Sequence, residues 1–266
     1  LLWNVSKVGS CTAFAQYVVA WTLPKPRLYA TCLGFAITPI GIYCSDADVG
    51  DTGVVDGITY TKRDRKGLLA LVGTAEEGEL ATSCTTGVTD MSSLFKDASS
   101  FNGNISSWDT VQATTMSSMF QGAASFNQDI SEWNTGSVAT MSSMFNGATS
   151  FNQDISGWNT AAVTSVDLMF NGAISFNQDV SKWNTSSVTD MMMMFYGATS
   201  FNNGGAALTW GANTVSVVTM SSMFRGATSF NQDVSGWNTA SVTTMADMFN
   251  GATAFNNGGA ALTWGG

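Results

Sequence analysis

The feature that most constrains this chain is an internal repeat that runs from Val88 to the last residue. A Phe-Asn pair recurs at 101, 126, 151, 176, 201, 230 and 255, and a Trp follows each pair at 108, 133, 158, 183, 210, 237 and 264. The period is 25 residues, apart from insertions before Trp210, after Trp210 and before Trp264. A period in the twenties is typical of a solenoid, whose units must stack to bury their apolar faces.

Two hydrophobic periodicities alternate within each repeat. From Val138 to Phe151, apolar residues recur mostly at intervals of three, which predicts a short α- or 3₁₀-helical segment that ends near Gly147. The next stretch, Gln153–Ser156, places Ile155 between polar residues and predicts a short strand with Ile inward. The sequence therefore predicts an α/β solenoid, a right-handed coil with one short parallel strand and one short helical segment per repeat.

Stacking such units places equivalent residues in columns. We expect the Met, Phe and Trp columns to fill the interior, because these side chains gain most from burial. The Asn after each Phe is expected to satisfy backbone groups where the chain turns. A ligand-binding role for these columns is the less favoured interpretation.

The amino-acid composition of the chain argues against several classes of function. The chain has no histidine, which excludes a Ser-His-Asp triad and histidine-based zinc sites. Its net charge is −9, and residues 86–266 carry eleven acidic against three basic side chains, so a nucleic-acid partner is not expected. Paired carboxylates remain available for chemistry. We nevertheless expect a protein that is not an enzyme, with no catalytic residue, metal or cofactor.

A ladder of Asp and Ser residues is the candidate binding face. If Ile155 and its equivalents point inward, the outward residues are Asp129, Asp154, Asp179 and Asp233, with Ser131, Ser156, Ser181 and Ser235 beside them. Carboxylates about 5 Å apart repel by roughly 0.8 kcal/mol in water, so Ser or backbone donors, Ca²⁺ or a basic partner must offset the repulsion. The alternative is that each Asp accepts hydrogen bonds from its own turn.

The repeat unit resembles a known family. Segments such as 129–153 (DISEWNTGSVATMSSMFNGATSFNQ) resemble the BspA-like leucine-rich-repeat bacterial surface proteins, whose repeat is also found in mycoplasma lipoproteins. The resemblance covers residues 88–266, and residues 44–84 are similar to the cap that precedes the repeats in such proteins. It implies a leucine-rich-repeat-like fold, a cell-surface or extracellular location, and adhesion or host-protein binding.

The chain is thus divided into three parts. Residues 1–43 are a leader with the layout of a signal segment or, alternatively, a disordered or mistranslated leader. Residues 44–85 are expected to form an N-terminal cap, and residues 86–266 a solenoid of about seven units. A closing cap is not evident after the last Trp, so we expect a longer array in the native protein. Within the cap, a hairpin is predicted around Asp56-Gly57 and a short helix over Asp64–Val72.

All four cysteines precede the repeats, and Cys44 and Cys84 bracket the cap. We predict a disulfide between these two residues, because their spacing is unlike that of a Cys-x-x-Cys metal site. A cross-link that closes such a loop is worth about 3–4 kcal/mol in the chain-entropy model.

The function indicated by the sequence is adhesion or protein recognition through the sheet face. The expected partner is a protein or glycan on a host or neighbouring cell, bound by a monomer. The alternatives are a structural spacer without a ligand and, less favoured, a carbohydrate-binding or carbohydrate-active solenoid. An ice-binding surface would use the recurring threonines, which are Thr135, Thr160, Thr185 and Thr239.

Overall fold

The computed structural model describes residues 35–38, 41–262 and 264. Regular secondary structure is concentrated before the repeats. The strands are β1 (Ala36–Thr38), β2 (Gly41–Tyr43), β3 (Thr52–Val55), β4 (Ile58–Lys62) and β5 (Ser83–Cys84). One α-helix, α1 (Arg65–Leu69), and a 3₁₀-helix, Glu77–Thr82, lie between β4 and β5. Strands β1 and β2 pair antiparallel, β3 pairs antiparallel with β4, and β5 adds to β4 in parallel.

The predicted hairpin and helix of the cap are both present. Asp56 and Gly57 connect β3 to β4 with φ of 49° and 81°, the left-handed values that a tight type I′ turn requires. Asp64 caps α1 by accepting a hydrogen bond from the Gly67 N–H at 2.8 Å. The helix is shorter than its apolar pattern predicts and ends at Leu69.

The cap has its own small core, which the predicted disulfide crosses. Cys44 and Cys84 form a disulfide bond, with an S–S distance of 2.12 Å. The other members of this core are Phe35, Ile42, Ala47 and Tyr60. Since Phe35, directly before β1, and Ile42 in β2 belong to this core, the cap begins before residue 44, the boundary that the sequence indicated. The rest of the signal-like leader, with Cys11 and Cys32, lies outside the described residues.

Successive repeats are joined by one parallel β-bridge each. The bridge residues are Asp90, Thr115, Thr140, Ser165, Asp190, Thr219 and Thr244. We number the repeats from these residues, so that repeat 3 begins at Thr140 and repeat 5 at Asp190. The only regular elements described within the repeats are 3₁₀-helices, at Asn203–Gly205, Gly211–Thr214 and Asn257–Gly259.

The placement of strand and helix within the repeat was wrong. No strand forms at Gln153–Ser156, because Asp154 accepts a hydrogen bond from the Ser156 N–H and draws the chain into a turn. The Met-rich segment is not a helix but a series of β-turns that close between residues three apart, as in Met144 N–H to Met141 O. Such turns also place every third residue on one side, which explains the misleading periodicity.

Alternate backbone groups of these turns bind the next repeat. The N–H groups of Met141, Ser143 and Phe145 each donate to a carbonyl 24 residues further along the chain, at 2.8–3.1 Å. Turns of this kind need a residue with positive φ. Gly147 supplies one at 72°, as its position in the sequence predicts, and a non-glycine residue supplies another. The non-glycine positions, all at φ 54–57°, are Ser93, Ser118, Ser143, Leu168, Met193, Ser222 and Asp247.

The predicted interior columns are buried and stacked. Phe145 lies 5.5 Å from Phe120 and 5.6 Å from Phe170, with ring planes within 8° of parallel. A second Phe column stacks against the first, with Phe145 and Phe151 at 3.9 Å. Trp rings stack in the same way, with centroids 6.4 Å apart for Trp108 and Trp133 and 6.5 Å apart for Trp158 and Trp183. One continuous core extends from Leu68 in the cap to Met248 in repeat 7.

Recurring polar side chains bind the backbone of a neighbouring repeat. Asn152 accepts hydrogen bonds from the Asn177 N–H at 2.9 Å and from Gln178 Nε2 at 3.0 Å. Trp183 Nε1 donates to the Ile155 carbonyl at 3.1 Å, and Thr160 Oγ1 donates to the Asn184 carbonyl at 3.0 Å. The predicted structural role of the Asn column is therefore confirmed.

The cap is continuous with the first repeat. Trp108 Nε1 donates to the Leu80 carbonyl at 2.8 Å, so the first Trp binds the cap in the same way that later ones bind the preceding repeat. The Ile42 N–H donates to the Ser107 carbonyl at 2.7 Å. This bond joins the middle of β2 to repeat 1.

Candidate interaction surface

The aspartates of the predicted ladder each bind their own turn. Oδ1 of every one accepts a hydrogen bond from the backbone N–H two residues further on, at 2.8–2.9 Å. The pairs are Asp129 with Ser131, Asp154 with Ser156, Asp179 with Ser181 and Asp233 with Ser235. The turn bond that the sequence left as the alternative is present at all four positions, and it uses one carboxylate oxygen of each residue.

Hydrogen bonds favour the charged form of Asp129, Asp179 and Asp233. The Ser131 backbone N–H is the chief reason that the pKa of Asp129 lies below its usual value. The Ser181 and Ser235 hydroxyls do the same for the pKa of Asp179 and of Asp233. Serine donors thus supply the compensation that stacked carboxylates require. Among the described residues, no group of three or more His, Cys, Asp or Glu side chains is arranged to hold a metal ion.

The recurring threonines are part of the interior. Thr135, Thr160 and Thr185 are buried, and their hydroxyls donate to the backbone carbonyls of Asn159, Asn184 and Asn213, respectively. Thr239, in repeat 6, is half-buried. A solvent-facing threonine array of the kind that ice binding needs is therefore not formed by the three buried members.

In contrast to the aspartate ladder, three outward positions that follow the β-bridge carry different side chains in different repeats. The residue two positions after the bridge, in repeats 2 to 7, is Ser117, Ser142, Asp167, Met192, Ser221 and Ala246. The residue that follows it is Ser118, Ser143, Leu168, Met193, Ser222 and Asp247. The residue three positions further is Gln121, Asn146, Asn171, Tyr196, Arg225 and Asn250. Repeats 2 and 3 are nearly identical here, whereas repeats 4 and 5 differ from them.

Where the outward residues are Ser and Thr, their hydroxyls bind one another. Ser117 Oγ lies 3.1 Å from Thr140 Oγ1, and Ser142 Oγ donates to Ser165 Oγ at 3.0 Å. Ser165 Oγ in turn donates to Asp167 Oδ1 at 2.5 Å, where the run of hydroxyls ends. Repeats 2 and 3 thus present hydroxyls that already have partners.

Repeats 4 and 5 replace this hydroxyl surface with larger side chains. Leu168, Met192, Met193 and Tyr196 are all half-buried, so part of each contacts solvent. They lie at the turns that bind consecutive repeats, since the Leu168 N–H donates to the Met192 carbonyl at 2.9 Å. Sequence reasoning missed these residues, although their departure from the Ser-Ser consensus is visible in the chain.

A concave feature lies between the cap and repeat 1. A cavity of about 450 Å³ is lined there by Lys62, Arg63, Arg65 and Asp90, among others. Lys62 Nζ donates to the Ala47 carbonyl at 2.8 Å, and Arg65 lies 3.2 Å from Asp90. Arg63 pairs with Glu79. Each cation therefore has a partner from the cap or from repeat 1, which makes the cavity part of their junction.

Comparison with known proteins gives one family. Residues 72–173, 130–211 and 208–264 each match the family described as Mycoplasma protein of unknown function, DUF285. No curated protein and no solved structure is detectably similar to the chain. In the described part of the chain, no helix has the length and hydrophobicity to cross a lipid bilayer. The three overlapping matches together span residues 72–264, and the chain is accordingly a repeat protein that belongs to the DUF285 family.

Proposed function

We propose that this chain is a non-enzymatic recognition protein, secreted or held at a cell surface, that binds a protein or glycan of a host or neighbouring cell. The observation that carries the proposal is that one backbone, repeated in register, presents different outward side chains in different repeats. Such a scaffold is suited to recognition, because its rigid interior leaves the surface positions free to change.

We also propose that the repeats form a right-handed, leucine-rich-repeat-like solenoid of the BspA-like kind. Three features support this proposal. The parallel bridges join residues 25 apart in most repeats, the aromatic columns are stacked, and the Asn column accepts hydrogen bonds from the following repeat. Each is a contact between equivalent positions of neighbouring units, as expected when units share one interior.

The proposal that the chain is not an enzyme rests on how the recurring polar groups are used. Asn, Thr and Trp donors and acceptors at the repeated positions bind backbone groups of adjacent repeats. The aspartates bind their own turns. These groups contribute to the fold, and a catalytic site would require them to converge on a common point.

The aspartate ladder remains a proposed binding face for a basic ligand. Asp129 and Asp154 are exposed, and their turn bonds use Oδ1. Changing Asp129, Asp154 and Asp179 together to Asn retains a side-chain oxygen for each turn and removes three charges. Weaker binding of a basic ligand by this variant would support the ladder, whereas unchanged affinity would exclude it.

A structural spacer is the second candidate, favoured by the near identity of repeats 2 and 3 and by their self-bonded hydroxyls. The deciding experiment is to screen the full chain against arrays of cell-surface proteins and of glycans. We expect a saturable ligand that is bound at physiological salt. If neither array yields one, the spacer is the better description.

A further inference from the structure

We propose that repeats 4 and 5 carry a docking site for a protein segment that has an apolar anchor next to a Lys or Arg side chain. The site is the Met–Tyr patch, defined as Leu168, Met192, Met193 and Tyr196, with the carboxylates of Asp167 and Asp190 at its edge. This inference rests on the proposed recognition function and assigns it to one place.

The patch is continuous across the boundary between repeats. Leu168 is joined to Met192 by a backbone hydrogen bond of 2.9 Å, and the Gly172 N–H donates to the Tyr196 carbonyl at 2.7 Å. Met193 is joined to Ser221 in repeat 6 at 3.0 Å. Both edges of the patch are therefore held by the same backbone bonds that join all the repeats.

The composition of the patch is that of a protein interface. Met, Tyr and Arg are enriched at interface centres, and Met adapts its shape to different apolar partners. The Arg225 guanidinium lies 5.9 Å from the centroid of the Tyr196 ring, and its Nη1 is 2.9 Å from Asp247 Oδ2. The ring of Tyr196 thus has a cation–π partner on the side of repeat 6, which limits its motion before any partner binds.

The charges select a basic partner. One repeat earlier, the hydroxyl oxygens of Ser142 and Ser165 lie 3.0 Å apart. Asp167 occupies the position equivalent to Ser142, and Asp190 occupies the position equivalent to Ser165. Two carboxylates therefore stand where two hydroxyls bind each other. In the described residues, neither carboxylate is within ion-pair distance of a Lys or Arg. A cation on the partner would relieve this concentration of negative charge, which no basic side chain of the described residues does.

The repeat itself provides a variant that removes the patch and preserves the backbone. Met192→Ser, Met193→Ser and Tyr196→Asn install the side chains that Ser142, Ser143 and Asn146 carry at equivalent positions. The two backbones match at the critical residue, since φ is 54° at Met193 and 57° at Ser143. This reversion variant should unfold at the same temperature as the wild type, because every new side chain already occurs in the equivalent turn of another repeat.

The test selects peptides from a displayed random library on the full chain at about 0.15 M salt, where only charges within roughly 8 Å of each other still interact appreciably. We expect the selected peptides to share a large apolar residue beside Lys or Arg. In fluorescence anisotropy with a synthetic version, the reversion variant should bind at least about tenfold more weakly, corresponding to roughly 1.4 kcal/mol. Asp167→Asn with Asp190→Asn should weaken binding less and flatten its salt dependence.

The matched control is Asp97→Asn with Glu132→Gln, which removes the same charge from exposed positions outside both the patch and the aspartate ladder and should leave peptide affinity unchanged. Three outcomes would each overturn the proposal that the patch is a docking site. The selected peptides could lack basic residues, they could bind the reversion variant equally well, or the library could yield no binder. If a ligand from the cell-surface screen binds the wild type and the reversion variant equally well, the proposed recognition function is supported, but the Met–Tyr patch is not its binding site.

Discussion

The cap encloses a small core with two short hairpins and a disulfide, whereas the repeats build a long core almost without regular secondary structure. In the cap, the core consists of six buried residues, and two of them are the bonded cysteines. In the repeats, equivalent Phe and Trp positions contribute in successive units, with Met at most of the apolar positions between them. The cap thus depends on a covalent link, and the repeats depend on contacts between identical neighbours.

This difference indicates where each region is vulnerable. A small core buries too little apolar surface to hold together without a cross-link. A repeated core distributes its stability over many equivalent contacts, so that a defect in the middle removes contacts on both sides while a defect at the end removes them on one. Phe145 in repeat 3 is fully buried, whereas Phe249 and Phe255 in repeat 7 are partly exposed.

The largest expected effect is that of removing a central ring. Phe145→Ala should lower the free energy of unfolding by about 3–5 kcal/mol, because the ring stacks on Phe120, Phe151 and Phe170 and leaves a cavity between them. Urea titration measures the change. The matched variant Phe255→Ala, in the last repeat, should cost clearly less, and equal losses would contradict a shared interior.

Removing the disulfide should affect the cap selectively. Cys44→Ser with Cys84→Ser should destabilise the cap by about 2–4 kcal/mol, since it opens a cross-link between residues separated by 40 positions. Hydrogen exchange should become faster over β2 to β5 and remain slow in repeats 3 to 5. A uniform loss of protection across the chain would mean that cap and repeats unfold as one unit.

A smaller effect is expected for the Asn column. Asn152→Ala should cost about 1–3 kcal/mol, because it removes the acceptor for the Asn177 N–H and for Gln178 Nε2. Asn159→Ala serves as the control, since Asn159 accepts from the N–H of Ala161 within its own exposed turn. Thermal unfolding of the two variants measures the difference, and a larger loss for Asn159→Ala would refute the structural importance of the column.

The smallest effect concerns pH. The pKa of Asp129 is depressed in the folded state, chiefly by the Ser131 N–H, so its contribution to stability is present above the unfolded pKa and is lost as pH falls through the folded value. Solvent screening limits the contribution of this exposed group to less than about 1 kcal/mol. Asp129→Asn should therefore lower stability slightly at pH 7 and leave it nearly unchanged in strong acid, which thermal melts across this range can detect. An equal loss at both ends would contradict the assignment.

The inward positions were predictable from the sequence, because burial imposes the same apolar residue at the same place in every unit. Phe145, Met144 and Ile155 are all buried as the pattern predicts. The local conformation was not predictable in this way. Consecutive β-turns and a helix both repeat every three to four residues, and only the positive φ at Ser143 distinguishes them. A serine gives no sign in the sequence that it will adopt this conformation.

The aspartate ladder and the Met–Tyr patch also differ in how readily each could be recognised from the sequence alone. The ladder attracted attention because it is regular, yet regularity at a turn reflects the backbone that Asp154 and its equivalents must bind. The patch is irregular, and it becomes visible only after the outward positions of each repeat are aligned with those of its neighbours. In a repeat protein, departures from the consensus are the better guide to a binding surface.

The central claim is that the repeats stack in register on one continuous aromatic interior. It is tested most directly by distances between spin labels carried on non-natural amino acids at Gln112 and Ser241, exposed positions that are equivalent and five repeats apart. Stacking at the usual spacing between strands predicts a backbone separation of about 24 Å, and the pair Ser137 and Ser241 should be about 5 Å shorter. One narrow distribution for each pair, differing by this step, is the expected result. Broad distributions, or two pairs that do not differ, would contradict the stack.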